Sequence, residues 1–525
     1  MKILNTADYI TKADLQSLSQ LEREAMYNGL DCCVTLELIH KLEEQLDDTT
    51  SAIYQRSLDL RAPIMEMSMR GIRVDGGKRK AVTRQLVAKR DFVASRFNRL
   101  CQEVFGKELP YRSNPSMMEL FYNHLGLKPI RKRNAQGEWK PTINRDAVER
   151  LQVNFWAQPF CSHLLFLRDI NKKIEFLMKG IDDDGRMRAQ FNIAGTKTGR
   201  LASAESELGT GSNQQNIDRS LRSIFIPDDG KKFINIDLEQ GDSRNLGATM
   251  WHLFYDQHGA DFAGSYLDAC ESGDLHTRVA WMTWPNLDWP EDQDPDKMKA
   301  VAEQLFYRQD SYRQIAKKLG HGSNYRGQPR TMALHTKTPV PIITSFQQSY
   351  FSAFPCIPEY HEWIENEIKE YSFLTSLHGR RRYFFGRHND PTTLNEAVAQ
   401  NPQSMTADAV NIAMIKLWIE SRVHEHPLFR HVDILCQVHD SLLLQAPTEM
   451  VDDIVEPLLE LCKAPLQLAG GREFVVPNEA KVGFNWGDKP KKIEKPEDRN
   501  DLGLIPWAPG DDRTPVKRQL TLRGL

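Results

Sequence analysis

Two apolar runs in this chain each end on an aspartate, although they lie far apart in the sequence. Residues 234–237 read Ile-Asn-Ile-Asp, and residues 438–441 read Val-His-Asp-Ser. Runs rich in β-branched residues are typical of buried strands, and a single aspartate at a strand end is ordinarily a turn former or a cap. Two such aspartates favour a pair of carboxylates that holds divalent metal for phosphoryl transfer. On that interpretation the fold brings two distant strand ends together.

Between these two segments, four residues recur at every fourth position: Arg313, Lys317, His321 and Tyr325. On a helix each lies about one turn above the last, so two cations, an imidazole and an aromatic ring line one stripe. Such a stripe can bind a triphosphate with its basic end and stack a base or a sugar against its ring end. A solvated amphipathic face has the same pattern, and the two flanking aspartates favour the nucleotide-binding interpretation.

The bulk composition limits the class of protein. A chain of 525 residues is long enough for several subdomains around a large core. Its formal net charge of −3 means that any surface for nucleic acid must be local. The eight cysteines show no C-x-x-C spacing, which predicts reduced thiols and neither a zinc site nor a disulfide framework. Because no apolar window approaches a membrane span or a signal-peptide core, we expect a soluble cytoplasmic protein, in a bacterium or a phage-infected host cell, with no membrane partner.

The spacing of apolar residues predicts helices over much of the chain. Helical spacing covers residues 14–46, with a break at Asn28 and Gly29, and it returns from residue 57 onwards. Residues 128–142 are polar and basic, which predicts either a loop along a phosphate backbone or a merely solvated loop. After residue 490 the chain becomes rich in Pro, Lys and Asp, which predicts an extended or disordered tail.

Together the motifs resemble those of the family A DNA polymerases, and the resemblance covers almost the whole chain. Residues 237–244 are similar to motif A of that family, 313–325 to motif B and 438–440 to motif C. Further similar elements are Thr-Gly-Arg-Leu-Ala-Ser at 198–203, Asn-Gln-Gln-Asn-Ile at 213–217, Asp-Leu-His at 274–276, Leu-His-Gly-Arg-Arg at 377–381, and Gln403 ahead of Ala407 and Asp408. The resemblance implies an α+β fold shaped like a right hand. Its small antiparallel palm sheet would place Asp237 beside Asp440, and its fingers and thumb would be mostly helical.

The resemblance also implies a division of the chain. The expected parts are a remnant of the C-terminal end of an exonuclease domain (1–54), the thumb (55–190), the palm (191–244 and 390–489), the fingers (245–389) and the tail (490–525). In the first part, Tyr27 and Asp31 resemble the Y-x₃-D motif that ends the 3′–5′ exonuclease domain of the family. The D-x-E pair that binds the metals of that domain is missing, and one carboxylate cannot hold two metals. We therefore expect no proofreading by this chain: the segment is a structural remnant, or the end of an exonuclease that was truncated or is encoded on another chain.

Individual residues acquire roles from the same resemblance. Asp237 and Asp440 are expected to hold two Mg²⁺ ions, with the carbonyl of Leu238 as a further ligand. The residues implied to contact the incoming nucleotide are Arg313, Lys317, His321, Tyr325, Asp242 and His276. Those implied to contact the end of the primer–template are Arg222, Gln403 and His439. The partners are then primer–template DNA and deoxynucleoside triphosphates (dNTPs), together with a separate exonuclease or replisome proteins if another chain supplies the missing activity.

Three positions differ from the family pattern. Asp242 stands where motif A usually has Glu, which packs below the sugar and excludes a 2′-hydroxyl, and a side chain one methylene shorter is expected to exclude it less completely. His321 replaces the aromatic residue of motif B, and Ser441 replaces the Glu that usually follows the motif C aspartate. These departures and the trimmed exonuclease segment favour a phage-type member of the family.

Two other functions remain open at this point. The His-Asp-Ser sequence at 439–441 is also what single-subunit phage-type RNA polymerases show, although the acidic residue at 242 and the elements at 198–203 and 213–217 argue for DNA synthesis. The other alternative is a polymerase-derived protein that binds nucleic acid without catalysis, against which the intact aspartates and cations argue. The prediction is a template-directed DNA polymerase that extends a primer 3′-hydroxyl by two-metal phosphoryl transfer, in DNA replication or repair.

Overall fold

The computed structural model describes residues 18–134, 136–307, 310–490 and 499–509. Its helices are α1 (Gln20–Glu43), α2 (Asp48–Asp59), α3 (Arg61–Arg70), α4 (Gly76–Phe105), α5 (Asn114–Met118), α6 (Arg145–Leu151), α7 (Gln158–Leu177), α8 (Gly241–Glu271), α9 (Leu275–Thr283), α10 (Pro295–Ala302), α11 (Tyr312–Asn324), α12 (Pro329–Thr336), α13 (Val340–Ala353), α14 (Cys356–Tyr371), α15 (Pro391–Trp418) and α16 (Val451–Leu461). Its strands are β1 (Ile72–Val74), β2 (Arg131–Arg133), β3 (Trp139–Pro141), β4 (Arg186–Met187), β5 (Gln190–Asn192), β6 (Ala202–Ala204), β7 (Phe225–Ile226), β8 (Lys231–Leu238), β9 (Leu305–Tyr307), β10 (Asp310–Ser311), β11 (Phe373–Thr375), β12 (Arg381–Tyr383), β13 (Asp433–Val438), β14 (Ser441–Pro447), β15 (Leu466–Gln467), β16 (Glu473–Phe474), β17 (Asn478–Gly483) and β18 (Ile505–Pro506). Short 3₁₀ turns lie at Phe155–Ala157, Gln214–Asn216, Arg219–Ile224, Phe429–His431, Thr448–Met450 and Ala469–Gly471, and π turns at Glu119–His124 and Ile419–Val423. Residues 1–17 of the predicted exonuclease remnant, and 491–498 and 510–525 of the predicted tail, lie outside the described residues.

A five-stranded sheet forms the centre of the fold, with the strand order β13-β14-β8-β17-β18. All its neighbouring strands are antiparallel. The apolar run that ends at Asp237 forms β8, which lies between β14 and β17. β13 is buried along its whole length, because helices cover the sheet: α3 packs against β13, and α16 packs against β8 and β17. The small antiparallel palm sheet that the sequence predicts is confirmed.

Two long helices, α8 and α15, pack against each other beside this sheet. α8 begins at Gly241, shortly after β8, and bends at Gly259, where φ is 77°. α15 begins after Asp390, whose side chain accepts hydrogen bonds from two backbone N–H groups of the first turn and so caps the helix. The contact between the two helices holds the start of motif A against the helix that carries Gln403.

The predicted thumb is built on another pair of long helices, α4 and α7, which pack against each other around a separate core. Buried side chains of this core include Phe97, Phe121 and Leu164. The chain enters the region at Gly71, which has φ of 64° and at which a Cβ would lie 2.9 Å from the carbonyl oxygen of Met187. Only glycine combines that backbone conformation with so close an approach.

The prediction of a loop over residues 128–142 is wrong in part. β2 and β3 pair antiparallel, with Arg131 opposite Pro141 and Arg133 opposite Trp139. All residues of the two strands are exposed. The guanidinium of Arg133 lies 5.3 Å from the ring centroid of Trp139, and this cation–π contact stabilises a hairpin whose polar, basic sequence lacks the usual alternation of a strand.

The predicted fingers, residues 245–389, contain most of α8, helices α9 to α14 and the hairpins β9–β10 and β11–β12. The helix predicted from the four-residue recurrence of cations and rings is confirmed as α11. It begins with a capping box, in which Ser311 and Gln314 each accept a hydrogen bond from the backbone of the other. Tyr325 caps its C-terminal end.

The N-terminal segment is helical as predicted, but the predicted break at Asn28 and Gly29 is wrong, because α1 runs unbroken through both. A glycine inside a helix costs only about 1 kcal/mol relative to alanine, and the capping box at Ser19 offsets that cost. Every residue of α1 is at least partly exposed. α2, in contrast, is tied to the rest of the chain, because the Arg56 guanidinium lies 3.7 Å from the buried carboxylate of Asp408.

Part of the predicted tail belongs to the sheet. Residues 499–509 return to the sheet edge, where β18 pairs with β17 and Ile505 lies opposite Val482. The side chains of Asn485 and Asn500 exchange hydrogen bonds of 2.8 and 2.9 Å that hold this return. The few apolar residues of the segment do not stand out from the charged sequence around them, and the tail prediction is wrong for these residues.

All eight cysteines are free thiols, and six of them are buried. Burial raises the pKa of Cys161 to about 12, and a buried thiol of this kind is chemically inert.

Within the described ranges, no helix combines the length and the apolar character that a membrane crossing requires.

Candidate active site

The sheet brings the two acidic motifs into contact. Asp237 is the penultimate residue of β8, and Asp440 lies in the two-residue turn between β13 and β14. β14 lies next to β8 with Ser441 opposite Asp237. The backbone N–H of Leu238 donates a hydrogen bond of 3.1 Å to the carbonyl oxygen of Asp440. The two aspartates therefore lie at the same end of one pair of strands.

Both acidic segments contain a backbone conformation that residues other than glycine rarely adopt. Gln240, which follows β8, has φ of 54°, and His439, which precedes Asp440, has φ of 56°. Each costs roughly 1–3 kcal/mol and persists only where the surroundings impose it. At His439 the surroundings impose it. The side-chain N–H of Gln437 donates to the His439 carbonyl oxygen at 2.6 Å, and the side-chain N–H of Gln215 donates to the side-chain oxygen of Gln437 at 2.9 Å. Strain held in this way is typical of functional sites.

Both carboxylates have a raised pKa. Burial, and then the negative charge of Asp440, raise the pKa of Asp237 to about 7. Burial also raises the pKa of Asp440, where the charge of Asp242 adds to the rise and a backbone hydrogen bond opposes it. Lys481 partly offsets the effect at Asp237. Among the described residues neither Asp237 nor Asp440 forms an ion pair, so the site holds negative charge that a bound cation would neutralise.

The donor set fits Mg²⁺. Carboxylate oxygens are the hard ligands that this ion prefers, and Mg²⁺ is commonly held by one or two carboxylates while it keeps waters or substrate phosphates. The described part of the chain contains no group of three acidic, histidine or cysteine side chains arranged to hold a metal. Asp237 and Asp440, with a backbone oxygen such as the Leu238 carbonyl, would therefore supply part of a coordination shell and leave positions for substrate oxygens.

Asp242 is fixed by two neighbours that no sequence motif had marked for this role. It lies in the first turn of α8, and one carboxylate oxygen accepts a hydrogen bond of 2.7 Å from the hydroxyl of Thr406 on α15. Arg200 donates to both carboxylate oxygens, at 3.2 and 3.3 Å. Thr406 is buried and itself accepts a hydrogen bond of 3.0 Å from the side chain of Asn245. The carboxylate is thus anchored from two sides.

The ring end of the α11 stripe lies close to Asp242. Desolvation lowers the pKa of His321, and the charge of Asp242 opposes this. Burial and then the same charge raise the pKa of Tyr325. The rings of His321 and Tyr325 are 5.0 Å apart in an edge-on arrangement. The structure therefore brings these three predicted nucleotide contacts together.

Arg313, at the basic end of the stripe, is already paired with acidic residues. Arg313 donates two hydrogen bonds to Asp274, at 2.7 and 3.0 Å, and lies 3.6 Å from Glu303. Burial, and then the charges of Lys317 and Arg313, lower the pKa of His276 to about 4, so this imidazole is neutral near pH 7. Arg313, Lys317 and His276 are thus grouped at one place.

The predicted DNA contacts lie on three separate elements. Arg222 is half-buried, with its guanidinium 4.7 Å from a tryptophan ring centroid, His439 is exposed at the β13–β14 turn, and Gln403 is half-buried on α15. Near Gln403, the side-chain nitrogen of Gln400 and the side-chain oxygen of Asn401 are buried and have no hydrogen-bond partner among the described residues. Unpaired buried polar atoms are rare in proteins. Because Gln400 and Asn401 are only 0% and 2% exposed, however, these atoms lie out of reach of DNA in this structure.

A basic cavity of about 390 Å³ lies in the predicted thumb. Four basic residues line it, Arg112, Arg145, Arg168 and Lys172, against two acidic ones, Asp169 and Glu175, and Asp169 is paired with Arg145. A second cavity of about 400 Å³ shares Arg145 and Lys172 with it and extends to residues 216–218 of the predicted palm. The sequence analysis did not find this surface, since its residues come from separate segments and the net charge of the chain is close to zero.

A right-hand α+β fold with two carboxylates at the end of one pair of palm strands is the architecture of a nucleic-acid polymerase. The chain belongs to DNA polymerase family A, because the model of that family matches residues 82–283 and 289–488. The chain is 25% identical to the thermostable DNA polymerase I of Thermus aquaticus over 443 residues, which cover 81% of this chain and 46% of that protein. It is 26% identical to the DNA polymerase I of Geobacillus stearothermophilus over 448 residues, or 82% of this chain and 46% of that protein.

Solved structures show the same fold. The polymerase domain of Pol1 from M. smegmatis, in complex with DNA primer-template and dNTP, has a TM-score of 0.62 and 22% sequence identity to this chain. The similarity covers 82% of this chain and 69% of that one. The chain spans about half the length of the curated relatives that it matches.

Proposed function

We propose that this chain is a template-directed DNA polymerase, which adds deoxynucleotides to the 3′-hydroxyl of a primer in DNA replication or repair. The observation that carries the proposal is the pairing of β8 with β14, which sets Asp237 beside the Asp440 turn. Membership of family A supports it, since the relatives named above are DNA polymerases. The M. smegmatis domain was solved with primer-template and dNTP, which supports the same partners for this chain.

Each part of the chain within the predicted boundaries would have its own role in catalysis or in binding of DNA and nucleotide. The palm (191–244 and 390–489) would carry the two carboxylates, and the fingers (245–389) would carry the stripe of α11. The thumb (55–190) would contribute the basic cavity and the exposed hairpin β2–β3. The segment up to residue 54 would pack on this body as a remnant without activity of its own.

Asp237 and Asp440 would hold two Mg²⁺ ions, with the Leu238 carbonyl as a further ligand. When bound, the ions would lower the pKa of the primer 3′-hydroxyl and neutralise charge on the α-phosphate and the leaving pyrophosphate. The contribution of the chain is to hold two carboxylates at a fixed separation in a half-buried place, where their raised pKa favours the uptake of positive charge.

The stripe of α11 would hold the incoming dNTP. Arg313 and Lys317 would bind its β- and γ-phosphates, and the neutral His276 would add a hydrogen bond. Because Arg313 is already paired with Asp274, the triphosphate must replace part of that ion pair. At the other end of the stripe, the ring of Tyr325 would lie beside the nascent base pair.

Asp242 would set the choice of sugar. Its carboxylate, fixed by Thr406 and Arg200, would lie below the sugar of the incoming nucleotide and leave little room for a 2′-hydroxyl. The RNA polymerase alternative gains nothing from Ser441, whose hydroxyl donates to the carbonyl of Val438 at 2.9 Å and so closes its own turn. We therefore propose a preference for deoxynucleotides that is weaker than that of a polymerase with Glu at this position.

The primer–template would be held by shape and charge. Arg222, Gln403 and His439 would contact its end, where minor-groove acceptors are similar for all base pairs and allow any sequence to be copied. The basic residues of the thumb cavity would contact phosphates of the duplex. Binding should consequently weaken as the salt concentration rises.

A primer-extension assay with Mg²⁺ and dNTPs tests the proposal. The wild type should extend the primer, and Asp237→Ala or Asp440→Ala should reduce extension at least a thousandfold, roughly the loss of a whole catalytic group. Both variants should still bind primer–template, because the metals act on the reacting phosphate more than on the duplex. Asp229→Ala is the matched control: this carboxylate precedes β8 but is exposed and paired with Arg73, and its loss should leave extension unchanged.

The same assay with a mismatched primer tests the proposed lack of proofreading. The chain should neither shorten the primer nor require Asp31 for any step. In the extension assay with a matched primer, activity that survives in both Asp237→Ala and Asp440→Ala would refute the metal assignment. Metal-dependent shortening that is lost in Asp31→Ala would show that the N-terminal segment is catalytic.

A further inference from the structure

The hairpin β11–β12 exposes aromatic rings where a strand pair ordinarily exposes polar side chains. One of its faces packs on the core through Leu374 and Phe384, which are 1% and 4% exposed. The opposite face carries Phe373, Tyr383 and Phe385, of which Phe385 is 96% and Tyr383 52% exposed. An antiparallel pair with one buried face usually alternates apolar inward and polar outward residues. The three outward rings, called here the aromatic platform, depart from that pattern.

The rings of the aromatic platform form a continuous row. Phe373 lies opposite Tyr383 across the strands, with ring centroids 5.4 Å apart. Tyr383 and Phe385 follow at 6.3 Å, with their rings within 17° of parallel. The guanidinium of Arg381 lies 4.7 Å from the ring centroid of Phe373, and Arg387 is exposed just beyond Phe385. Aromatic faces combined with arginine are the groups on which single-stranded nucleic acid stacks.

The hairpin is also continuous with the candidate active site. From its inward face, Arg382 donates a hydrogen bond of 3.2 Å to Gln400, on the helix α15 that also carries Gln403. At its turn, the guanidinium carbon of Arg380 would lie only 2.5 Å from a Cβ at Gly199, so the two segments are in close contact. Gly199 precedes Arg200, which holds the Asp242 carboxylate. The platform thus extends outwards from the place where the template base would be paired.

We propose that the aromatic platform binds the unpaired 5′ part of the template strand as it approaches the active site. The proposal rests on the proposed function only in naming the strand as a template, because stacking on the platform needs neither metal nor dNTP. Every base has a face that can stack on an aromatic ring, so this contact tolerates any sequence, as a template requires. The exposed Arg387 would meet phosphates of the strand, whereas Arg381 would do so only in exchange for its ion pair with Asp47, at 2.8 Å. A row of rings flanked by arginines fits such a strand better than it fits the broad apolar surface of a protein partner.

The experiment measures the affinity of the whole chain for primer–templates by fluorescence anisotropy, in EDTA and without nucleotide. The template overhang is either about one or about ten nucleotides long, the latter within the site sizes of single-strand-binding folds. The wild type should bind the long overhang more tightly. Phe385→Ala should weaken binding of the long overhang by about fivefold or more, the loss of one base–aromatic stack, with little change for the short one. Phe385→Trp should retain the wild-type preference.

A control for non-specific loss of an exposed ring is Phe155→Ala, since Phe155 lies in the thumb and is 81% exposed. This variant should keep the overhang preference. Equal affinity of the wild type for both overhangs would overturn the proposal. So would an unchanged preference in Phe385→Ala, because the exposed ring would then contribute nothing to binding of the overhang. If the overhang preference is present but no primer is extended, the platform binds single strands and only the polymerase function fails.

Discussion

The carboxylates of the central sheet and Arg313 of α11 differ in whether their charge is already paired. Asp237 and Asp440 form no ion pair with any described residue, and the pKa of each is raised. Arg313 is already bound by Asp274 and lies near Glu303. A counter-ion that binds beside an uncompensated, half-buried charge lowers the free energy of the site. A cation that is already paired must exchange one partner for another. The sheet is thus built to take up positive charge, and the fingers helix to exchange one anion for another.

After the loss of activity expected for the aspartate variants, the largest effect should come from the fingers side of this comparison. Arg313→Ala should raise KM for the dNTP about tenfold or more and change kcat less, because a charge-assisted hydrogen bond to phosphate contributes roughly 1.5–3 kcal/mol. The measurement is single-nucleotide incorporation over a range of dNTP concentrations. Lys318→Ala is the matched control, since Lys318 lies on the same helix and pairs with Asp310 at 2.7 Å. If both variants behave alike, the phosphates are not bound by the stripe.

A smaller effect is expected where the two regions meet, at Asp242. Asp242→Ala should raise the efficiency of ribonucleotide relative to deoxynucleotide incorporation about tenfold, which corresponds to about 1.4 kcal/mol of lost discrimination. Thr406→Val should raise the same ratio less, because Arg200 still holds the carboxylate, and Thr406→Ser should restore the wild-type ratio. The ratio of kcat/KM values for the two nucleotides measures this. A ratio that Asp242→Ala leaves unchanged would remove Asp242 from sugar selection, and a wild type that prefers ribonucleotides would favour the RNA polymerase alternative.

The smallest effect concerns stability and its dependence on pH. The pKa of Asp237 is about 7 in the folded chain and near 3.8 when unperturbed, so the folded state binds more protons between these values. The free energy of unfolding should therefore fall as the pH rises from about 4 to about 7, and the loss should be complete above that range. In EDTA, Asp237→Asn should melt roughly 2 °C or more above the wild type at pH 8 and close to it at pH 4. Identical melting temperatures at both pH values would show that the sheet carboxylate is compensated after all.

The elements that could be predicted from the sequence are those with a local signal. The four-residue recurrence from Arg313 to Tyr325 predicts α11, because residues one turn apart on a helix are close in sequence. The apolar run before Asp237 predicts β8, because the residues of one strand are also consecutive in the sequence. The break wrongly predicted at Gly29 also arises from a local signal. A glycine weakens a helix, but the capping box at Ser19 offsets this cost and the helix continues.

The rest of the site depends on contacts between distant segments, which no local pattern carries. The hydrogen bond from Thr406 to Asp242 joins residues 164 positions apart, and its existence follows from the packing of α15 on α8. The basic cavity of the thumb likewise assembles from separate helices. The grouping of Asp237 with Asp440 was inferred from the chemistry of metal-assisted phosphoryl transfer and from the resemblance to a known family, and no local pattern required it. Residue types alone indicate two candidate ligands without showing that they meet.

The short strand β18 also affects how the protein can be handled. β17 would otherwise be an edge of the sheet, with a row of unpaired N–H and C=O groups open to strands of other molecules. β18 covers part of that edge, and Pro506, which has no N–H, lies in the covering strand opposite Lys481. Shortening the chain before residue 499 would uncover the edge. The shortened protein should then self-associate at concentrations at which the longer one stays dispersed, and an affinity tag is better placed beyond this strand than in front of it.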